Sequence, residues 1–228
     1  MTNTLVVGST GVIGTAIAEI LEKHNLYTVS QRSKPTVNSQ HMYMDLSRPI
    51  TPAELSAQLE HIEALDVLIW CPGVQHVSLF EDMPLDALDA QYHLGVRNLS
   101  LFVQLCLPLL RKSENGRIIV LSSVWGETGA SCEAGYAAMK GAQNALVKSL
   151  AKEFATTNIT VNAISPGAVN SAMMDEFTEA DAQAVLSEIP QQRFVEPEEV
   201  AHAIEYLISP KAQSVTGEIM KINGGWYT

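Results

Sequence analysis

The amino-acid sequence predicts a single α/β domain over residues 1–228, built on a doubly wound parallel sheet of about seven strands. Three observations predict it. Short runs rich in β-branched residues alternate with longer helical stretches along the chain. The short runs are apolar almost throughout, as strands covered by helices on both faces must be. A glycine-spaced turn follows the first run and opens a helix, and sheets of this kind bind ligands at such carboxyl ends of strands.

The elements follow in order. "TLVVG" (4–8) reads as a buried strand and "GVIGTAIAEILEKH" (11–24) as a helix. "LYTVSQ" (26–31) is a second strand and "HMYMD" (41–45) a short third. "TPAELSAQLEHI" (51–62) is a helix with Pro52 in its first turn, where the missing N–H costs nothing. "LDVLIWC" (65–71) is strand four, and a long helix runs from Leu85 to Leu110. Within it, "LSLFVQLCLPLL" (99–110) is apolar nearly all round, so it reads as either a deeply buried helix or a subunit interface. "GRIIVLSS" (116–123) is strand five, residues 134–156 form a helix, and "ITVNAIS" (159–165) is strand six. A helix with an acidic first turn (196–209) and a last strand (217–223) complete the pattern.

Composition excludes several function classes. With 46% hydrophobic and 17% charged residues, the chain has material for a sizeable core. No apolar run approaches the ~20 residues of a membrane span. "MTNTLVVGST" lacks the basic and apolar regions of a signal peptide, so the expected location is cytoplasmic. Cys71, Cys106 and Cys132 are scattered, as are the six histidines; reduced thiols and no metal site are expected. The formal net charge of −11 argues against nucleic acid and against an anionic membrane surface.

The turn after the first strand, "VVGSTGVIGTAIA", spaces Gly8, Gly11 and Gly14 as G-x-x-G-x-x-G, with Ser9, Thr10 and Ile13 among them. Glycine allows the tight turn and lets backbone approach a phosphate, while the positive end of the helix favours an anion. A dinucleotide is the expected ligand. At the end of strand two an acid would bond the ribose 2′-hydroxyl of NAD, and a basic residue would accommodate the 2′-phosphate of NADP. Here stand Gln31, Arg32, Ser33 and Lys34, which predicts NADP(H) in preference to NAD(H).

"GRIIVLSSVWGETGASCEAGYAAMKGAQNALVKSLAKE" places Ser123 at the end of strand five, Tyr136 thirteen residues later and Lys140 one helical turn beyond it. A phenol titrates near ~10, too high for easy exchange at neutral pH. A nearby ammonium together with an oxidised nicotinamide favours the phenolate and is expected to bring that value down. "NITVNAISPGAVNSAMM" follows, with Pro166-Gly167 just past strand six, and the chain ends "TGEIMKINGGWYT".

Taken together, these motifs resemble the short-chain dehydrogenase/reductase family from end to end, most closely from Gly116 to Met173 and over the last thirty residues. The resemblance implies a Rossmann fold and hydride exchange between a nicotinamide and a carbonyl or secondary alcohol. It makes Tyr136 the general acid/base, Ser123 the hydrogen-bonding partner of the substrate oxygen, and Lys140 the anchor of the nicotinamide ribose. Val169 and Ser171, in the loop after Pro166 and Gly167, would contact the carboxamide. Asp45, with Leu46 beside it, matches the acidic contact to the adenine, though a cap or a solvated charge would look the same. The overall look is that of 3-oxoacyl-[acyl-carrier-protein] reductases, and a homodimer or homotetramer is implied.

The chain departs from the family in two places. Where N-N-A-G is usual it has "WCPG", Trp70 to Gly73, keeping only the glycine. The asparagine that holds a relay water on the long helix falls at Gly95, with Arg97 and Asn98 nearby. These departures leave open a dinucleotide-binding redox sensor with little turnover, although such a sensor needs no proton donor. For the substrate, residues 170–194 are expected to cover the pocket, with Met173, Met174 and Phe177 facing Trp125 as an adaptable apolar wall. Asp175, Glu176, Glu179 and Asp181 make that cover acidic, which counts against docking of an acidic acyl carrier protein.

Overall fold

The computed structural model describes residues 1–171 and 178–228. Met173, Met174, Asp175, Glu176 and Phe177, part of the expected pocket cover, lie outside the described residues.

Among those residues the strands β1 (Asn3–Val7), β2 (Asn25–Ser30), β3 (Gln40–Tyr43), β4 (Val67–Trp70), β5 (Gly116–Leu121), β6 (Ile159–Pro166) and β7 (Ile219–Ile222) form one parallel sheet. Its order is β3-β2-β1-β4-β5-β6-β7. The order reverses between β1 and β4, the switch point at which such sheets leave a crevice at their carboxyl ends.

Both faces are covered, which is why the strands are apolar throughout. Leu5 and Val7 face one core cluster with Leu68, Trp70, Ile118 and Val120, and Val6 faces the other with Ile69 and Ile119. This is the two-residue period of a strand buried on both sides. Helices α2 (Pro52–Leu59), α4 (Asn98–Leu110) and α6 (Ala134–Glu153) contribute Leu55, Phe102 and Val147 to the first cluster. Helices α1 (Val12–Ile20) and α8 (Pro197–Ile208) contribute Ile17 and Ile204 to the second. Each such side chain stabilises the fold by roughly 1.5–3 kcal/mol relative to exposure.

Local rules explain the ends of several elements. Thr51 caps α2, accepting from the Glu54 amide at 3.2 Å while Glu54 accepts from the Thr51 amide at 2.7 Å. The expected helix over Leu85–Leu110 is interrupted. It comprises α3 (Leu85–Tyr92), a π-helical turn over His93–Arg97, and α4. By length and composition alone this stretch could cross a membrane; here its inner face is the core of the sheet, with Leu99, Phe102, Cys106 and Leu110 fully buried. Two further α-helices among the described residues are α5 (Trp125–Thr128) and α7 (Glu179–Glu188).

Candidate active site

The crevice at the β1–β4 switch point is a cleft of about 190 Å³ lined by Gly8, Thr10, Gly11, Ser30, Gln31, Leu46, Cys71, Pro72 and Gly73, with Met44 and Leu94. Gly8 turns with φ +79, and a Cβ there would meet the Pro72 nitrogen at 2.9 Å. A Cβ on Gly14 would overlap the Gly8 carbonyl oxygen, so α1 packs on the turn at backbone distance. Gly11 is the N-cap of α1 and is exposed, leaving the helix start open to an anion. The cradle therefore fits a dinucleotide phosphate.

Not every loop residue faces the cleft. Ser9 is fully buried, and both its amide (3.2 Å) and its hydroxyl (3.4 Å) donate to the Val29 carbonyl. It fixes the turn from behind. Ile13 is half-buried and packs into the α1–α8 core. Arg32 and Lys34 are exposed just beyond β2, and neither forms an ion pair among the described residues. The Asp45 carboxylate accepts from the Ser47 hydroxyl at 2.6 Å and its amide at 3.0 Å. The Ser47 hydroxyl above all, helped by Gln31 and Arg48, holds that acid below the ordinary carboxylate range.

Gly73 joins the cleft to the reactive groups. A Cβ on it would stand 3.6 Å from Lys140 Nζ and 3.8 Å from the Tyr136 ring edge. Lys140 is buried; its Nζ donates to the Leu121 carbonyl at 2.5 Å and lies 5.5 Å from the centre of the Tyr136 ring. Burial pulls Lys140 down to about 8, an effect the neighbouring Cys71 opposes. The Ser123 hydroxyl lies near enough to Tyr136 to favour its phenolate, and the Trp125 amide donates to Ser123 Oγ at 3.2 Å. Close packing brings the segments together: a Cβ on Gly126 would strike the Lys140 backbone at 2.7 Å. That explains the small residues on this face of α6.

In the protein alone, Tyr136 is not brought down toward neutrality. Burial pushes it up to about 12; the nearby Ser123 hydroxyl opposes that rise and the Glu133 carboxylate adds to it. The ammonium sits over the ring, already bonded to a backbone carbonyl, and contributes little at the phenolic oxygen.

On the far side of the reactive groups, the Pro166 carbonyl accepts from the Val124 amide at 3.1 Å, tying the end of β6 to the Ser123 turn. A Cβ on Gly167 would meet Asn223 at 3.0 Å. Val169 makes a parallel bridge to Val195, which sets Ser171 just beyond it. Trp125 packs against Trp226 (centroids 5.0 Å apart) and Tyr227 (5.7 Å). The two C-terminal aromatics went unrecognised in the sequence as part of this wall. Their signal is the Gly224-Gly225 pair, with φ +63 and +83, which turns the chain back before Trp226.

The two departures have structural partners. Trp70 is fully buried, stacks edge-on to Phe102 at 5.2 Å and donates through Nε1 to the Leu94 carbonyl at 3.1 Å. Gln143 Nε2 donates to the Gly95 carbonyl at 3.0 Å. Both carbonyls belong to the π-helical turn. Asn98 and Arg97 do not reach Lys140. They hold the 46–50 loop, through the Leu46 carbonyl (3.0 Å) and the Ile50 carbonyl (2.8 Å) respectively.

Comparison with known proteins agrees with this fold. A family model described as enoyl-(acyl carrier protein) reductase matches residues 10–227. An uncharacterized oxidoreductase of Bacillus subtilis, YmfI, is 35% identical over 98% of this chain and 98% of its own length. The 3-oxoacyl-[acyl-carrier-protein] reductase FabG of Rickettsia felis is 30% identical over 97% of this chain and 95% of that protein. A mutant short-chain dehydrogenase/reductase from Serratia marcescens superposes with a TM-score of 0.89 at 25% identity, covering 100% of this chain and 98% of the other.

Proposed function

This chain belongs to the short-chain dehydrogenase/reductase family, and on that premise we propose that it is an NADP(H)-dependent reductase of a small carbonyl substrate. The observation that carries the reading is the convergence of Ser123, Tyr136 and Lys140 where Gly73 closes the glycine-cradled cleft. A bound nicotinamide supplies the hydride. Ser123 donates to the substrate oxygen and holds it beside Tyr136. Tyr136 gives its phenolic proton to that oxygen. An alkoxide forming there is about as basic as hydroxide, whose conjugate acid titrates near ~15.7. A phenol held at about 12 still donates downhill to it. Lys140 keeps a positive charge beneath the ring and would anchor the ribose.

The preference for NADP(H) rests on Arg32 and Lys34, exposed beyond β2, and on the absence of an acid at Gln31. Installing one, Gln31→Asp, is expected to shift the NADPH-to-NADH preference about tenfold toward NADH, read by fluorescence titration. A 3-oxoacyl thioester is a candidate substrate, as in the FabG relatives. The net charge of −11 favours one that arrives without an acidic carrier; retention of acyl carrier protein in a pull-down at physiological salt would overturn that preference. Assembly as a homodimer or homotetramer is supported by the outer face of α4, where Leu101, Leu105 and Leu109 recur at helical spacing and are only half-buried. Sedimentation of a monomer would refute it.

The deciding experiment is a panel of ketones and 3-oxoacyl thioesters with NADPH, run on wild type and Tyr136→Phe. We expect turnover to fall 10²–10⁴-fold in the variant with cofactor binding retained. Tight cofactor binding with no turnover on any carbonyl would favour the redox sensor.

A further inference from the structure

Lys140 has a second polar neighbourhood, away from the dinucleotide cleft. Gln91 on α3 and Gln143 on α6 are 3% and 0% exposed. Each spends its amide nitrogen on a backbone carbonyl: Gln91 Nε2 on Val74 at 3.3 Å, Gln143 Nε2 on Gly95 at 3.0 Å. Those carbonyls only accept, so the orientation of both amides is fixed. What remains on each is an oxygen, and both Oε1 atoms are buried without a partner. An unsatisfied buried acceptor costs about 1–3 kcal/mol, so two together call for a donor. Both glutamines line a single small cavity of about 10 Å³, with Gly73, Gly95, Tyr136, Met139 and Lys140. That is the threshold volume for one water. Lys140 has three N–H donors and spends one on Leu121.

We propose that Gln91 and Gln143 are positioning residues that hold a single water against Lys140 Nζ, giving this lysine its connection to solvent protons. The valences match. The water accepts from the ammonium and donates its two hydrogens to the two glutamine oxygens, three bonds in all, the usual number for a buried water. The inference rests on the proposed carbonyl reduction for its purpose, though not for its geometry. Each turnover removes a proton from Tyr136 and leaves it on the product hydroxyl. The water passes a proton toward the Lys140 side of the site and takes one from solvent, so nothing is oxidised or reduced in the step. The asparagine this family usually has on the long helix does not fit here, because a Cβ at Gly95 would lie 2.8 Å from Met139 Cβ. The glutamine pair supplies the polar atoms instead, from flanking positions on two helices.

The test uses the full chain with Gln91→Met and Gln143→Met, which keep side-chain volume and remove the oxygens. A high-resolution crystal structure of the wild type should show a water within about 3 Å of Lys140 Nζ and both oxygens. NMR titration of isotopically labelled lysine should show the Lys140 ammonium losing its proton at lower pH in either variant than in wild type. In steady-state assays kcat should drop about tenfold, with KM changed less than about twofold and the alkaline limb moved to lower pH. Gln143 also secures the π-helical turn, so Gln91→Met is the cleaner variant. A wild-type structure without the water, Nζ bonded directly to a glutamine oxygen, or an unchanged Lys140 titration in both variants would overturn the site. A bound water with unaltered kcat would overturn its delivery role. The crystal structure and the titration need no turnover, so a chain that reduces no carbonyl refutes the proposed function separately from this water.

Discussion

The two sides of Lys140 are built by different means. Toward the dinucleotide cleft the surroundings are backbone: the turn at Gly8, the close approach at Gly14, the flat strip at Gly73 and the Leu121 carbonyl. On the other side they are side chains, with Gln91, Met139 and Gln143 from two helices and Trp70 from β4 securing the π-helical turn. A backbone wall has little freedom to relax, whereas flexible side chains can rearrange around a change. The cleft side should therefore be intolerant of added atoms, and the inner side tolerant but sensitive to lost polar groups.

Removing the joint between the two sides has the largest expected effect. Lys140→Met is expected to lower kcat/KM by 10²–10⁴-fold, which tests the lysine from both directions at once. It also changes how stability depends on pH. Burial sets Lys140 near 8, against 10.5 for an ordinary lysine. Below pH 8 the folded state bears the full burden of a buried ammonium. Between 8 and 10.5 the unfolded chain binds more protons than the folded one, so the burden lifts as pH rises. Relative to Lys140→Met, wild type should gain on the order of 3 kcal/mol across that window, read from urea midpoints. A flat difference would mean that this ammonium is as well solvated in the folded chain as in the unfolded one, and would weaken the contrast between the two sides.

Gly14→Ala attacks the backbone-built side alone. The added methyl would overlap the Gly8 carbonyl oxygen, and neither α1 nor the β1 turn has a side chain to move aside. A loss of about 3 kcal/mol is expected, seen as a fall in Tm of roughly 6–12 °C, with NADPH affinity reduced as well. Unchanged melting and binding would show that the helix start shifts freely, contrary to the rigid cradle.

What the sequence made legible follows the same division. Gly8, Gly11 and Gly14 announce a phosphate turn because their meaning is local: a fixed spacing, a strand before and a helix after. Ser123, Tyr136 and Lys140 are nearly as legible, since two share a helix turn and the third ends a strand that must lie beside it. The apolar strands gave the sheet because burial on both faces leaves no alternation. The inner pocket was hidden. Gln91 and Gln143 are 52 residues apart, and glutamine on a helix is ordinarily a surface residue. Trp70 read only as a missing asparagine, because its hydrogen bond requires a π-helical turn that periodicity does not reveal. The raised phenol of Tyr136 was equally out of reach, since it depends on how deeply the ring is buried and on where the ammonium points.

The smallest expected effect tests the tolerant side. In Gly95→Ala the new methyl meets Met139 Cβ at 2.8 Å and Cγ at 3.4 Å, both side-chain atoms. Methionine adapts to irregular space, but its Cβ is tied to α6, so part of the clash must be absorbed by a small shift between the helices. The cost should be about 1 kcal/mol, a third of that at Gly14. It should shrink, without vanishing, in Gly95→Ala/Met139→Ala, where the Cγ contact and the bulk beyond it are gone while the Cβ contact remains. That pair is close enough to couple, so the double-mutant cycle measures the side-chain part of the wall directly. A full-sized loss at Gly95 that Met139→Ala does not recover would place the constraint in the helix backbone, and would make both sides of Lys140 equally rigid.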